Sequence, residues 1–421
     1  SGCSSMDFSA DELLTPPKPT GNMYPIQKAL ENSVTGRFKL KYPTSGKYQS
    51  AFVFADLLNT GYKDYCIAFY ATGQDSTQNI HINLIKNTED GWQSMSDAFF
   101  AASAVEKVEF ADLNGDDNLE IIVGYNIYSS VDKQVVVYSL AADTLRQRMA
   151  EMYNNFLITD LNMDGGNELF VINLDTAKHT STAKMYTLNE SGIKEEGACN
   201  LDATVASHSE PVLSKLANDQ PAVFVDAVKG KGMVTEVVYF KDNTLVAPFV
   251  NEKTGQNILT QRDMTVACMD INNDGRLDIP LMEASINSGS SDTGSNYITR
   301  WVNYNGAELF AVQYSIMNYV DGYYLNIPES YVGNIAVEQQ IESRLRIFYL
   351  WDSENMAPKD ELFRIMVINL SDWDEKRDEL KDYFELSRDK NYVYIGKVGG
   401  YFGNEAVSPD DLRSMFNLIN G

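Results

Sequence analysis

Three nine-residue segments of this chain follow one acidic template: Asp112-Leu-Asn114-Gly-Asp116-Asp-Asn118-Leu-Glu120, Asp160-Leu-Asn162-Met-Asp164-Gly-Gly166-Asn-Glu168 and Asp270-Ile-Asn272-Asn-Asp274-Gly-Arg276-Leu-Asp278. Each puts oxygen-bearing side chains at loop positions 1, 3, 5 and 9. That is the spacing with which a tight loop wraps a hard cation such as Ca²⁺. Chance rarely writes the same pattern three times in one chain, so the fold is expected to consist of repeated units.

The loops are not EF-hands. An EF-hand needs a bidentate Glu at position 12 and helices on both sides. Here position 12 holds Val123, Val171 and Leu281. The flanks are β-branched and aromatic runs: Lys107-Val-Glu-Phe-Ala111 before the first loop, Ile121-Ile-Val-Gly-Tyr125 after it, and Leu169-Phe-Val-Ile-Asn-Leu174 after the second. Such runs predict strands. Each loop should therefore join two strands, with the ninth-position acid at the start of the second. The first copy carries Asp117 at position 6, where a left-handed backbone favours Gly.

Two weaker copies extend the series. Asp56-Leu-Leu-Asn-Thr60-Gly-Tyr-Lys-Asp64 lies between Ala51-Phe-Val-Phe-Ala55 and Tyr65-Cys-Ile-Ala-Phe-Tyr70, but lacks an oxygen at position 3 and has only a hydroxyl at position 5. Ala222-Val-Phe-Val-Asp226, Gly230-Lys-Gly232 and Thr235-Glu-Val-Val-Tyr-Phe240 keep the strand–turn–strand rhythm without ligands. Both are expected to be structural copies without metal. The step between repeat origins averages roughly 50 residues, which suits one four-stranded propeller blade.

Strand, Asp-x-Asn-x-Asp-Gly-x-x-Asp/Glu, strand resembles the FG-GAP or VCBS repeat of integrin-type β-propellers, over residues from about 45 to 310. The resemblance implies a mainly β fold: a propeller of at least five blades with calcium held between two strands of a blade. The metal set implied is Asp112, Asn114, Asp116, Asn118 and Glu120; Asp160, Asn162, Asp164, Gly166 and Glu168; and Asp270, Asn272, Asp274, Arg276 and Asp278. Asn118, Gly166 and Arg276 would contribute the position-7 carbonyl. Up to three Ca²⁺ ions are expected.

Composition limits the partners. The chain has 421 residues and a net charge of −25, from 34 basic and 59 acidic side chains. Nothing in that balance offsets phosphate repulsion, which argues against nucleic acid. Three bound Ca²⁺ would leave about −19. No run is long enough to span a bilayer. Of the four cysteines, Cys66 and Cys268 sit in apolar runs and are expected to be buried thiols; Cys199, beside Gly197 and Asn200, reads as loop-borne. Cys3 follows Ser1-Gly2 and precedes a polar stretch with Pro16, Pro17 and Pro19. Ser-Gly-Cys resembles the end of a bacterial lipobox, whose cysteine is lipidated after cleavage. A diacylglyceryl anchor at Cys3 would hold the chain at the outer face of the membrane, with 1–23 as remnant and tether. Asp11-Glu-Leu-Leu-Thr-Pro-Pro-Lys18 is similar to the start of surface lipoproteins with such repeats in Gram-positive bacteria.

Beyond the repeats, a second domain is expected at 318–421, after a calcium-binding propeller at 24–315. Gly322–Ile327, Asn334–Glu338, Leu345–Trp351, Glu361–Leu370 and Asn391–Gly396 read as strands. Ser371-Asp-Trp-Asp374 opens a predicted helix to about Ser387, and Ser408-Pro409 opens another. This small α+β pattern resembles the PsbP-like sandwich.

Catalytic signatures are few. The histidines are His81, His179 and His208, expected in exposed loops; no Gly-x-Ser-x-Gly elbow, P-loop or His-Glu-x-x-His helix occurs. No catalytic residue is assigned. Asn287–Asn296 reads as a long inter-strand loop, and Trp301, Tyr304, Tyr319, Tyr323 and Tyr324 as strand core, with a binding surface as the alternative. Propellers host enzymes and scaffolds alike. The leading expectation is a calcium-stabilised, lipid-anchored extracellular binding, adhesion or scaffold protein: a monomer meeting a protein or glycan ligand at the cell surface. The alternative is an extracellular hydrolase or lyase acting on a polysaccharide or cell-wall substrate at the propeller face.

Overall fold

The computed structural model describes residues 23–72, 79–127, 132–286 and 297–419. Cys3, the tether and Asn287–Asn296 lie outside the described residues. The chain is mainly β, a succession of antiparallel sheets with few helices. It divides into two compact units. One holds the described residues up to 213 with 221–225 and 236–257; the other holds 214–220, 226–235 and those from 258 on.

The first unit repeats one sheet plan. Phe38–Leu40, Tyr65–Thr72, Asn79–Thr88 and Gly91–Ala101 pair in that order, with Phe52–Ala55 also on Tyr65–Thr72. Ala104–Ala111, Glu120–Asn126, Lys133–Ala141 and Thr144–Met152 form the next sheet; Asn155–Thr159, Glu168–Asp175, Thr180–Asn189 and Gly192–Asn200 the one after. Within this unit a further sheet contains Ser207–His208, residues 221–225, residues 236–241 and Thr244–Val246. Sequence neighbours pair as spatial neighbours, as in blades.

Burial explains the strand sequences. The second strand of each sheet is covered on both faces, so it reads as a continuous apolar run: Ile121, Ile122, Val123 and Tyr125 are each 0% exposed. The fourth strand of the first sheet covers only one face, and Gly91–Ala101 alternates accordingly. Between sheets the side chains interlock: Ile67, Phe69 and Ile82 meet Val105, Val123 and Tyr125, while Ile122, Val135 and Val137 meet Phe156, Leu169 and Val171. Truncating one such residue to Ala costs about 2–5 kcal/mol. Gly124 permits the close approach; a Cβ there would lie 2.1 Å from the Tyr153 hydroxyl. Helix Tyr24–Ser33 buries Ile26 and Leu30 on the other side, against Cys66, Ala68 and Ile85.

The second unit contains Ile279–Ser285, Tyr297–Tyr304, Leu309–Asn318, Tyr323–Ile327 and Phe416–Leu418 in one sheet, and Ile335–Gln340, Leu345–Asp352, Ala357–Asn369, Tyr392–Val398 and Phe384–Arg388 in another. The expected boundary at 315–318 does not coincide with a break. Ile298 and Ile316, before it, share one core with Tyr323, Phe348, Phe363, Leu412 and Phe416, after it. The loss of the acidic motif marks the end of the loops, not the end of sheet formation. The predicted helix from Ser371 to Ser387 is also shorter. It spans Leu370–Lys376 with Asn369 at its N-cap, and Phe384–Arg388 is a strand. Phe384 and Leu386 pack on the apolar core, so tertiary burial overrides the helical pattern there. Helix Pro409–Met415 has the anticipated start: the Ser408 hydroxyl accepts from the Asp411 N–H, and the Asp411 carboxylate accepts from the Ser408 N–H.

Candidate metal centres

The three acidic loops share one backbone path. Positions 4 and 6 are left-handed in each: Gly115 and Asp117 at φ 76° and 68°, Met163 and Gly165 at 59° and 86°, Asn273 and Gly275 at 59° and 82°. The Asp56 copy has the same path, with Asn59 at 51° and Gly61 at 87°. Position 6 was legible as a glycine site. Position 4 was not, because Gly, Met and Asn share no sequence signal there.

The first-position carboxylate organises the turn. Asp112 accepts N–H bonds from Gly115 at 2.7 Å and Asp117 at 2.9 Å; Asp160 accepts from Asp164 and Gly165, both at 3.1 Å; Asp270 accepts from Asp274 at 3.0 Å and Gly275 at 2.8 Å. The position-7 residues Asn118, Gly166 and Arg276 donate their N–H to the position-5 carboxylate at 2.8, 2.8 and 2.9 Å. The third-position amides of Asn114, Asn162 and Asn272 donate across the loop to Asp116, Asp164 and Asp274 at 3.2, 3.0 and 3.3 Å. A donor thus already stands beside the converging carboxylates.

The ninth-position acid is the unusual member. Glu120 and Glu168 open the strand after their loops and Asp278 immediately precedes Ile279–Ser285, at 2%, 1% and 0% exposure. One oxygen of each accepts the N–H of position 2: Leu113 at 2.8 Å, Leu161 at 3.0 Å, Ile271 at 3.3 Å. The other oxygen differs. Asn114 donates to it in the first loop at 3.1 Å and Asn303 in the third at 3.2 Å, but Glu168 Oε1 is buried without a partner. Burial first, then repulsion from the loop's other carboxylates, pushes all three acids up to about 7. Asp160, Asp164 and Glu168 can each offer an oxygen within 4.8 Å of one another. A buried carboxylate with an orphaned oxygen, converging with two more, fits a hard cation.

Two features escaped the sequence reading. Position 2 is an apolar anchor in every copy: Leu57, Leu113, Leu161 and Ile271 are at 0, 4, 0 and 0% exposure. Their recurrence at one position was the available signal. Leu57 O accepts from Leu119 N, and Leu113 O from Leu188 N, each at 2.8 Å, so a loop is pinned to the sheet that follows it. The second feature is the counter-ion of the Asp226 copy. Arg262, with a fully buried side chain, holds Asp226 at 3.0 Å, and the Cys268 N–H and the Thr235 hydroxyl complete the carboxylate's shell. The Asp56 carboxylate is satisfied by the N–H groups of Thr60 and Gly61, at 2.9 and 2.8 Å, which hold its pKa below the usual carboxylate range.

Other candidates fall elsewhere. His81 lies in a strand, not a loop, 2.9 Å from Asp97 and stacked on Tyr70. His208 also lies in a strand, with both ring nitrogens buried and unpartnered; burial pulls its pKa down to about 4. Cys199 is in strand Gly192–Asn200, opposite Ala183, where burial pushes its thiol up to about 12. Cys66 is a buried thiol as expected. Trp301, Tyr304, Tyr323 and Tyr324 are buried core; Tyr319 is 53% exposed.

No family model matches the chain, and no curated protein does. Among solved structures, similarity extends to a rhamnogalacturonan lyase of Bacillus licheniformis, at TM-score 0.30 and 10% identity over 65% of this chain and 68% of that one. The β-propeller domain of the Trilobed protease from Pyrococcus furiosus follows at 0.31 and 9%, over 78% and 89%. An exo-β-1,3-galactanase of Phanerochaete chrysosporium gives 0.26 and 8%, over 79% of each chain.

Proposed function

We propose that this chain is a calcium-stabilised extracellular binding or scaffold protein, with the Asp112, Asp160 and Asp270 loops as its calcium sites. The observation that carries the reading is the ninth-position carboxylate, buried at the root of each loop and held near neutral acidity by burial and by two facing carboxylates. Asp112, Asp160 and Asp270 with their partners at positions 3, 5, 7 and 9 would hold the ions. A bound cation supplies positive charge where the strand connection has concentrated negative charge. This chain's own residues set the loop path and bury its root through the position-2 anchor. Metal binding and folding are then linked.

Sites of this kind suit compartments with calcium at about 10⁻⁴–10⁻³ M, which favours a location outside the cell. Attachment through Cys3 belongs to the same proposal. Partition of the chain carrying its native leader, with and without Cys3→Ser, tests it: loss of membrane association in the variant supports the anchor, and unchanged partition refutes it. Calcium titration followed by calorimetry tests the sites themselves. Screening calcium-loaded protein on glycan and peptide arrays separates binding from turnover: retention of intact ligand fits a scaffold, whereas cleavage of a polysaccharide would establish the hydrolase or lyase reading.

A further inference from the structure

The acidic loops and their degenerate copies differ in who supplies the positive charge. The Asp112 and Asp160 loops carry uncharged residues, Asn118 and Gly166, at position 7. The Asp270 loop carries Arg276 there. Its guanidinium reaches Asp274, a position-5 ligand, at 3.6 Å, and Asp219 at 2.7 Å. Arg276 is about one-quarter exposed, at 27%, and its Nε is buried without a partner. The Asp226 copy goes further: Arg262 sits directly on the first-position acid at 3.0 Å, and the loop oxygens for a metal are gone.

Resting on the calcium reading above, we propose that Arg276 is a tethered cation that competes with calcium for the Asp270 loop, making it the weakest of the three sites and the one least dependent on metal for its fold. Counting side chains within the nine positions, the Asp112 loop has a net charge of −4, the Asp160 loop −3 and the Asp270 loop −2. Calcium entering the Asp270 loop must share Asp274 with a guanidinium that cannot lose its proton. The same guanidinium offsets carboxylate repulsion when calcium is absent. Asp219 draws the Arg276 side chain partly aside, which leaves the loop open to the ion.

Arg276→Gln and Arg276→Lys test this, with calcium binding by calorimetry and thermal midpoints in calcium and in chelator. For Arg276→Gln the weakest binding step should tighten about two- to five-fold, the effect expected of one partly exposed charge. Its midpoint should fall in chelator and match or exceed the wild type in saturating calcium. Arg276→Lys, which keeps the charge, should stay near the wild type in both. If Arg276→Gln lowers the midpoint equally with and without calcium and leaves the weakest step unchanged, Arg276 is only a surface tie to Asp219 and the inference is overturned while the calcium sites stand. If wild-type protein binds no calcium, the underlying reading fails first, and this inference with it.

Discussion

The Leu161 N–H donates to Glu168 Oε2 at 3.0 Å, while Glu168 Oε1, equally buried, has no partner. The same backbone bond recurs from Leu113 to Glu120 and from Ile271 to Asp278. One oxygen of each acid thus belongs to the fold, and at Glu168 the other is left to the loop. Glu168→Gln preserves the acceptor for Leu161 and removes the charge. In chelator at pH 8 the variant should be as stable as the wild type or more so, by about 1–2 kcal/mol, because an uncompensated buried charge is gone. In calcium the order should reverse. Thermal midpoints under both conditions check this; a variant less stable in chelator contradicts it.

Asp117 occupies a left-handed position, at φ 68°. Asp117→Gly should stabilise the calcium-free protein by about 0.5 kcal/mol, and Gly165→Ala, at φ 86°, should destabilise it by about 1–2 kcal/mol. The opposite signs, measured in chelator, distinguish backbone strain from metal effects.

The Asp226–Arg262 pair should behave as a buried ion pair. Arg262→Met leaves the Asp226 carboxylate with only the Thr235 hydroxyl and the Cys268 groups, and should cost about 3–5 kcal/mol with or without calcium. Adding Asp226→Leu should recover much of the loss. Failure of the double variant to improve on the single would show that the pair is not coupled in this way.

The motif made the loops, the strand flanks of the first two and the blade-like sheets legible, because ligand spacing and strand periodicity are local; before Asp270 only the single bridge Met269–Asp278 forms where a strand was expected. The motif made the two degenerate copies legible as strand–turn–strand units too, the Asp56 copy through Leu58, which offers no oxygen at position 3, and Thr60, which offers only a hydroxyl at position 5. What it could not show depends on distant partners. Arg262 lies 36 residues from Asp226, and Asn303 lies 25 from Asp278. The end of the repeat was misjudged for the same reason: Ile298 and Phe416 share a core that no local pattern announces. Likewise the apolar side chains Phe384 and Leu386 took a strand, where the helix start at Ser371 says nothing about how far a helix runs.

His208 provides a pH test. Its folded pKa, about 4, lies below the unfolded value of about 6.5. The unfolded chain therefore takes a proton that the folded chain refuses. Stability from this group is constant above the unfolded value and falls as pH drops from about 6.5 to about 4, by about 3 kcal/mol in all. Glu120, Glu168 and Asp278 act in the opposite sense in part of that window, since their folded values are raised. The informative quantity is the wild type compared with His208→Phe: the variant should lose less stability on acidification, and parallel profiles would contradict the assignment.

Calcium binding is the central claim, and a thermal melt across calcium concentrations tests it most directly. The account predicts a midpoint that rises through the millimolar range, saturates, and is reversed by chelator. Asp160→Ala should reduce that rise, and should lower the midpoint in chelator as well, because the Asp164 and Gly165 N–H groups lose their acceptor. A wild-type midpoint that does not move from chelator to 10⁻² M calcium, about ten times the upper affinity expected for such sites, would reduce the three loops to turns and contradict the account.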